Sequence, residues 1–268
     1  MNSPHTFFAT SMPKLGDELA RLLRQPHGEP FKRDLIIIDG KASVHWLSHY
    51  LVRNAQLPAE DTKYPAQTGL GIHMNAKLVN TQLFHQEIAR MLLGENLLSE
   101  ESDDLTSLPF RIFQKLQLGR KGFEYLTEGT EPADQPTLLW NAAARIADWI
   151  KELNLNDPSW GQRVQNGQKG PLEDLWREVR KEMEGTLLTP LEIIQALANK
   201  ASLEAVANHL PGRIFLFATG ETPQSVLDLL KALSPAIQIN ALFLQPTEGY
   251  YLDLRNELKS REGLKRIP

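Results

Sequence analysis

The chain has 268 residues, 41% hydrophobic, 23% charged and 7% aromatic, the make-up of an ordinary globular protein with material for a sizeable core. Its 29 Lys and Arg against 33 Asp and Glu give a net charge of −4, which excludes the strongly basic surface of a free-standing nucleic-acid coat but leaves room for a local basic face. No cysteine means no disulfide, thiolate zinc site, iron–sulfur cluster or Cys nucleophile; with no bilayer-length apolar run and no signal-peptide layout at the N-terminus, a cytoplasmic protein without a membrane partner is expected.

Thr6-Phe7-Phe8-Ala9 is β-prone, and Leu15, Leu19, Leu22 and Leu23 then share one helical face. Asp34-Leu35-Ile36-Ile37-Ile38-Asp39 is a continuous apolar run, which predicts a central parallel strand covered on both faces. Val44, Trp46, Leu47, Tyr50 and Leu51 mark a second helix, and Ala55 to Gly71 reads as a loop. From Asn80 to Leu210 the pattern predicts helices only. Leu83, Phe84, Ile88, Met91 and Leu92 form one apolar stripe, Phe110, Phe113 and Leu116 a second, and Leu139, Ala142, Ile146, Trp149, Ile150 and Leu153 a third. Asp157-Pro158, Gly161, Gly167 and Gly170-Pro171 break the run, after which Leu172, Leu175, Trp176 and Val179 start another helix and Thr189-Pro190 with Glu192 predicts an N-cap. Trp46, Trp140, Trp149 and Trp176 fall at core spacing, whereas Trp160 is placed in a loop.

Strand signals return at Arg213 to Ala218 and Ile237 to Leu244, around a helix through Val226, Leu229, Leu230 and Leu233. Parallel strands need crossovers, so the two ends are expected to complete one sheet. The fold class that follows is α/β, a parallel sheet flanked by helices, with an inserted all-helical domain. Residues 1–84 and 210–268 are the two parts of the α/β domain and 85–209 the helical insertion.

A sheet of this kind places ligands beyond the carboxyl ends of its strands. The first such turn, Thr10-Ser11-Met12-Pro13-Lys14-Leu15-Gly16-Asp17, lacks the glycines of a phosphate cradle; Pro13 removes a donor and Asp17 would repel phosphate, so no ATP site and no cofactor are expected. Asp39-Gly40-Lys41 matches half of a metal-dependent nuclease site, but Thr6 to Ala9 supplies no second carboxylate; the plainer reading has Gly40 making a turn and Asp39 capping the next helix. His45 and His49 lie four apart without the Glu of a zincin helix, and no nucleophile motif is found. The C-terminal basic residues Arg255, Lys259, Arg261, Lys265 and Arg266 are offset by Glu257 and Glu262 and read as a solvated helix.

The run Leu35 to Asp39 through Val44-His45-Trp46-Leu47, then Gly71-Ile72-His73-Met74-Asn75, resembles the start of the exodeoxyribonuclease V gamma chain (RecC) family. Leu138 to Leu153 with Ala143, Ala147 and Asp148, then Asp157-Pro158-Ser159-Trp160, is similar to that family's central helix and its following P-x-W. The most specific block is Leu210 to Leu216, Leu229 to Leu233, Ile237 to Phe243 and Pro246 to Tyr251. The matches fall in order over nearly the whole chain. Because the family's chains are several times longer, they correspond to its N-terminal portion. The resemblance implies a superfamily 1 helicase-like first domain whose ATP machinery has decayed. It implies a non-catalytic DNA repair and recombination component that binds single-stranded or forked DNA beside helicase and nuclease subunits. It also implies DNA-binding positions: Asp39, Lys41 and His45 after the second strand, and Arg145, Asp148 and Lys151 on the central helix, the two sets lying around one groove. Asp39, Lys41 and His45 depart from the uncharged Gln and Thr usual there, and Trp149 and Lys151 depart beside the matching Asp148. Two further readings stand beside this one: a small metal-dependent nuclease using Asp39 and Lys41, and a protein-binding adaptor without DNA binding.

Overall fold

Runs of β-branched and aromatic residues at both ends of the chain, with amphipathic helical sequence between them, set the architecture of the computed structural model, which describes residues 5–25, 32–59, 66–70, 75–93, 107–183 and 188–245. Gly71 to Met74, Pro246 to Tyr251 and the basic cluster from Arg255 to Arg266 lie outside the described residues. The chain divides into two compact units, Met1–Asn80 with Pro211–Glu221 and Gln238–Pro268, and Thr81–Leu210 with Thr222–Ile237.

The first unit runs β1 (His5–Ala9), α1 (Met12–Arg24), β2 (Asp34–Ile37), α2 (Lys41–Arg53), β3 (Gln56–Leu57), β4 (Gln67–Thr68), β5 (Ala76–Val79), then β6 (Arg213–Ala218) and β7 (Gln238–Leu244). Five strands form one parallel sheet in the order β1-β7-β6-β2-β5, with β3 and β4 a separate antiparallel pair. The expected union of the two ends is met: Leu35, Ile36 and Ile37 pair with Ile214, Phe215 and Leu216. β2 and β6 are buried along their whole length, as their continuous apolar runs require. The helical expectation from Asn80 onwards gave no hint of β5 just before it, whose four residues Ala-Lys-Leu-Val are too few for a periodic signal.

One face of the sheet packs Ala9, Ile36, Ile38, Phe215, Phe217 and Leu242 with Leu15 and Leu19 of α1 and Leu47, Tyr50 and Leu51 of α2. Gly16 lets the two helices meet, since a Cβ there would lie 2.6 Å from the Tyr50 ring, which stacks on Trp46 at 4.6 Å. At the opposite end of the strands from any ligand site, Arg213 and Asp34 form a two-pronged pair (Nε to Oδ1 3.1 Å, Nη2 to Oδ2 2.7 Å). Arg213 also donates to the Leu22 carbonyl at 2.9 Å, tying the end of α1 to β2 and β6.

The second unit consists of helices: α3 (Thr81–Leu93), α4 (Leu108–Gln117), α5 (Gln135–Asn156), α6 (Pro158–Gln165), α7 (Pro171–Glu182), α8 (Pro190–Leu197), α9 (Lys200–Ala207) and α10 (Gln224–Leu233). No strand occurs among its described residues. α10 is the crossover between β6 and β7 and packs on α5 and α8. The predicted cap is present as a full capping box, with Glu192 N donating to Thr189 Oγ1 and Thr189 N to the Glu192 carboxylate.

Two expected stripes hold except at one aromatic residue each. α4 buries Leu108, Ile112 and Leu116 while Phe110 is 54% exposed, and α5 buries Leu139, Ala143, Ile146, Ala147 and Ile150 while Trp149 is 58% exposed. Ala143 and Ala147 share one buried cluster with Leu108, Ile112 and Leu116 of α4, against which Phe113 also packs, while Phe110 and Trp149 stay exposed. Trp140 is likewise exposed at its edge against Phe113, so of the four tryptophans assigned to the core, Trp176 alone is fully buried. Trp160, assigned to a loop, is 4% exposed inside α6: Asp157 ends α5 and caps a new helix by accepting from Trp160 N, with Pro158 at its first position.

Candidate nucleic-acid interface

The carboxyl ends of the parallel strands carry the turns in which ligand chemistry is sought. In the first, between β1 and α1, the backbone and side chains are committed to packing. Ser11 is the extended N-cap residue, Pro13 fills the first turn, and Gly16 lies beneath Tyr50 rather than around an anion. Asp17 accepts from the Tyr50 hydroxyl at 2.9 Å and from Gln56 N at 2.6 Å, holding α1 to α2 and β3. Burial, together with this hydrogen bond and the Asp17 charge, pushes the Tyr50 hydroxyl up to about 12.

The turn after β2 is of another kind. Ile38 N donates to Val79 O at 2.9 Å, extending the ladder by one residue, and the chain then leaves the sheet with Asp39 exposed. Gly40, at φ 85°, is the N-cap residue of α2, so the helix starts one residue later than the expected Asp39 cap. Only glycine takes that left-handed geometry without strain, and it sets Lys41 at the first helical position at the end of the strand. Lys41 and His45 follow one turn apart on the exposed side of α2, whose other side is buried through Leu47, Tyr50 and Leu51. Asp39, Lys41 and His45 are thus together at one strand end.

Arg145, Asp148 and Lys151 belong to the second unit, on α5. Arg145 and Asp148 are exposed, and the half-buried Lys151 pairs with Asp148 at 3.7 Å. Lys151 enters this set already facing a carboxylate, while Trp149 beside it presents its ring to solvent.

Among the described residues no three His, Cys, Asp or Glu side chains stand close enough to share a metal ion. No helix among them is long and apolar enough to cross a membrane.

The family model of the RecC N-terminal domain matches residues 5–266. The chain belongs to this family. A curated relative, the RecBCD enzyme subunit RecC of Haemophilus influenzae (strain ATCC 51907 / DSM 11121 / KW20 / Rd), is 21% identical over 282 aligned residues. That alignment covers 92% of this chain and 24% of the relative, so this RecC N-terminal-domain chain spans about a quarter of the length of the curated protein it matches. The sequence blocks at Leu35 to Leu47, Leu138 to Trp160 and Leu210 to Phe243 fall within the matched region.

Proposed function

We propose that this chain is the N-terminal, DNA-handling part of a RecC-type subunit of an exodeoxyribonuclease V complex. In this reading it works in the cytoplasm, binds single-stranded or forked DNA, and meets helicase and nuclease partner subunits without catalysing a reaction of its own. The observation that carries it is the family match over residues 5–266. The parallel sheet and the packed first turn support a helicase-like domain without ATP chemistry, formed by residues 1–84 and 210–268. Residues 85–209 are read as its inserted helical domain, which α10 joins.

Asp39, Lys41 and His45 at the end of β2, and Arg145, Asp148 and Lys151 on α5, are the proposed DNA contacts. The cations engage phosphate and release counterions, so affinity falls with salt. Fluorescence-anisotropy titration of forked DNA at low salt tests the proposal. Lys41→Ala should weaken binding and shallow the single-strand salt slope by about 0.7, and Lys151→Ala, whose ammonium already faces Asp148, should do so by less. Binding that is detectable yet unchanged in both variants places the contacts elsewhere, and no binding at all gives the lead to the protein-adaptor reading.

A further inference from the structure

We propose that the exposed face of α2 is a continuous phosphate-binding track, in which His49 and Arg53 carry the contacts of Lys41 and His45 onward along one DNA strand. The inference rests on the DNA-binding reading above and adds two residues to it. Lys41, His45, His49 and Arg53 recur every four residues and all four are exposed. Four residues of helix rise about 6 Å and overshoot a full turn by about 40°, so the four side chains form a stripe about 18 Å long that winds slowly around the helix. A repeat of about 6 Å suits the successive phosphates of an extended strand, one cation or ring N–H to each.

Two features make this stripe available. The segment Lys41–Arg53 contains no Asp or Glu, and none of the four residues is held in an ion pair among the described residues. Several cations of the helical unit are different. Lys115 and Arg111 face Glu182, Arg120 faces Glu178, Arg177 faces Asp174, and Arg180 faces Glu192. A cation already facing a carboxylate gains little from phosphate, whereas Lys41 and Arg53 each gain counterion release and His45 and His49 each add a ring N–H donor. The nearest carboxylate on α1, Asp17, is occupied on the buried side of α2 by Tyr50 and Gln56, and Asp39 precedes the stripe rather than interrupting it. His45 and His49 also offer flat rings on which a base can stack, which favours a nucleic-acid strand over an acidic peptide.

The test uses the full chain with a fluorescein-labelled oligothymidylate at low salt and fixed pH. Arg53→Ala should weaken binding about fivefold, the order of one exposed charge contact, with the salt slope shallower by about 0.7. Arg53→Lys should retain both, and His49→Ala should weaken binding further when combined with Arg53→Ala. If Lys41→Ala weakens binding but the His49→Ala/Arg53→Ala chain binds like the parent, the track ends at His45 and the inference is wrong while the DNA-binding reading stands. If binding is present but indifferent to Lys41→Ala as well, the contacts lie elsewhere and the inference is wrong; if binding is absent altogether, both the inference and the DNA-binding reading are wrong. Displacement of the oligonucleotide by polyglutamate at equal charge concentration would assign the stripe to an acidic peptide instead.

Discussion

The Asp34–Arg213 pair offers a sharp test of what holds the sheet together. Their side chains are 4% and 5% exposed, so both charges have left water, and Arg213 donates three hydrogen bonds that compensate them: two to Asp34 and one to the Leu22 carbonyl. Arg213 also lies 5.2 Å over the Phe215 ring. Removing one partner deprives the other buried charge of its two-pronged mate, and the cost of that is about 3–5 kcal/mol. Asp34→Ala or Arg213→Met should therefore lower the urea midpoint at constant slope, and lower Tm by roughly 6–20 °C for a chain of this size. The double variant Asp34→Leu/Arg213→Met removes both charges and should recover most of that loss, because a buried pair contributes little beyond a well-packed apolar substitute. Lys200–Glu204 is the control: at 88% and 68% exposure, its removal should leave the midpoint unchanged. Single variants within about 0.5 kcal/mol of the parent, or a double variant no better than the singles, would refute the view that desolvated charge dominates this site.

Tyr50 links stability to alkaline pH. Its hydroxyl is raised to about 12 in the fold, so the folded state keeps a proton that the unfolded chain has lost; stability is fully present below pH 10 and falls as pH rises towards 12. Denaturation at a series of pH values should show the fall flattened in Tyr50→Phe, which starts about 1 kcal/mol lower at neutral pH for loss of the Asp17 hydrogen bond. Gly16→Val places a Cβ 2.6 Å from the Tyr50 ring and should cost about 1–3 kcal/mol in chemical denaturation, unlike Gly129→Ala, where open space leaves only the strain of a φ of 72°. Calorimetry should show no micromolar binding of ATP with Mg²⁺, because the turn between β1 and α1 is committed to packing; measurable binding there would overturn that account.

The centre of the sheet was legible because β2 and β6 are buried on both faces, and such strands must be nearly continuous apolar runs. Arg213 to Ala218 stands out for this reason, and Asp34 to Ile38 likewise. β5 escaped because four residues carry too little pattern, and its pairing is fixed by β2 rather than by its own composition. Among the helices, the failures share a cause. A stripe drawn through the largest apolar residues selects Phe110 and Trp149, but the buried cluster shared by α4 and α5 holds Ile112, Ala143 and Ala147 instead. Trp160 was misplaced because Asp157-Pro158, read as a break, is also a helix start.

At the candidate interface, the backbone was more legible than the electrostatics. A strand followed by Gly40 and a helix fixes where Lys41 and His45 emerge, and that much is local sequence. Whether a cation is available to a ligand depends on carboxylates that are near in space and remote in the chain. Lys115 meets Glu182 across 67 positions and Arg120 meets Glu178 across 58, so no window of the sequence shows that these charges are already neutralised. Lys151 is half-predictable, since Asp148 lies three residues before it on the same helix. α2 is the informative exception: it has no carboxylate of its own, and its exposed side retains every positive charge its sequence carries. A chain with net charge −4 can therefore still present one unneutralised cationic face, and a fall in affinity with salt that tracks substitutions on α2 alone would locate the binding energy there.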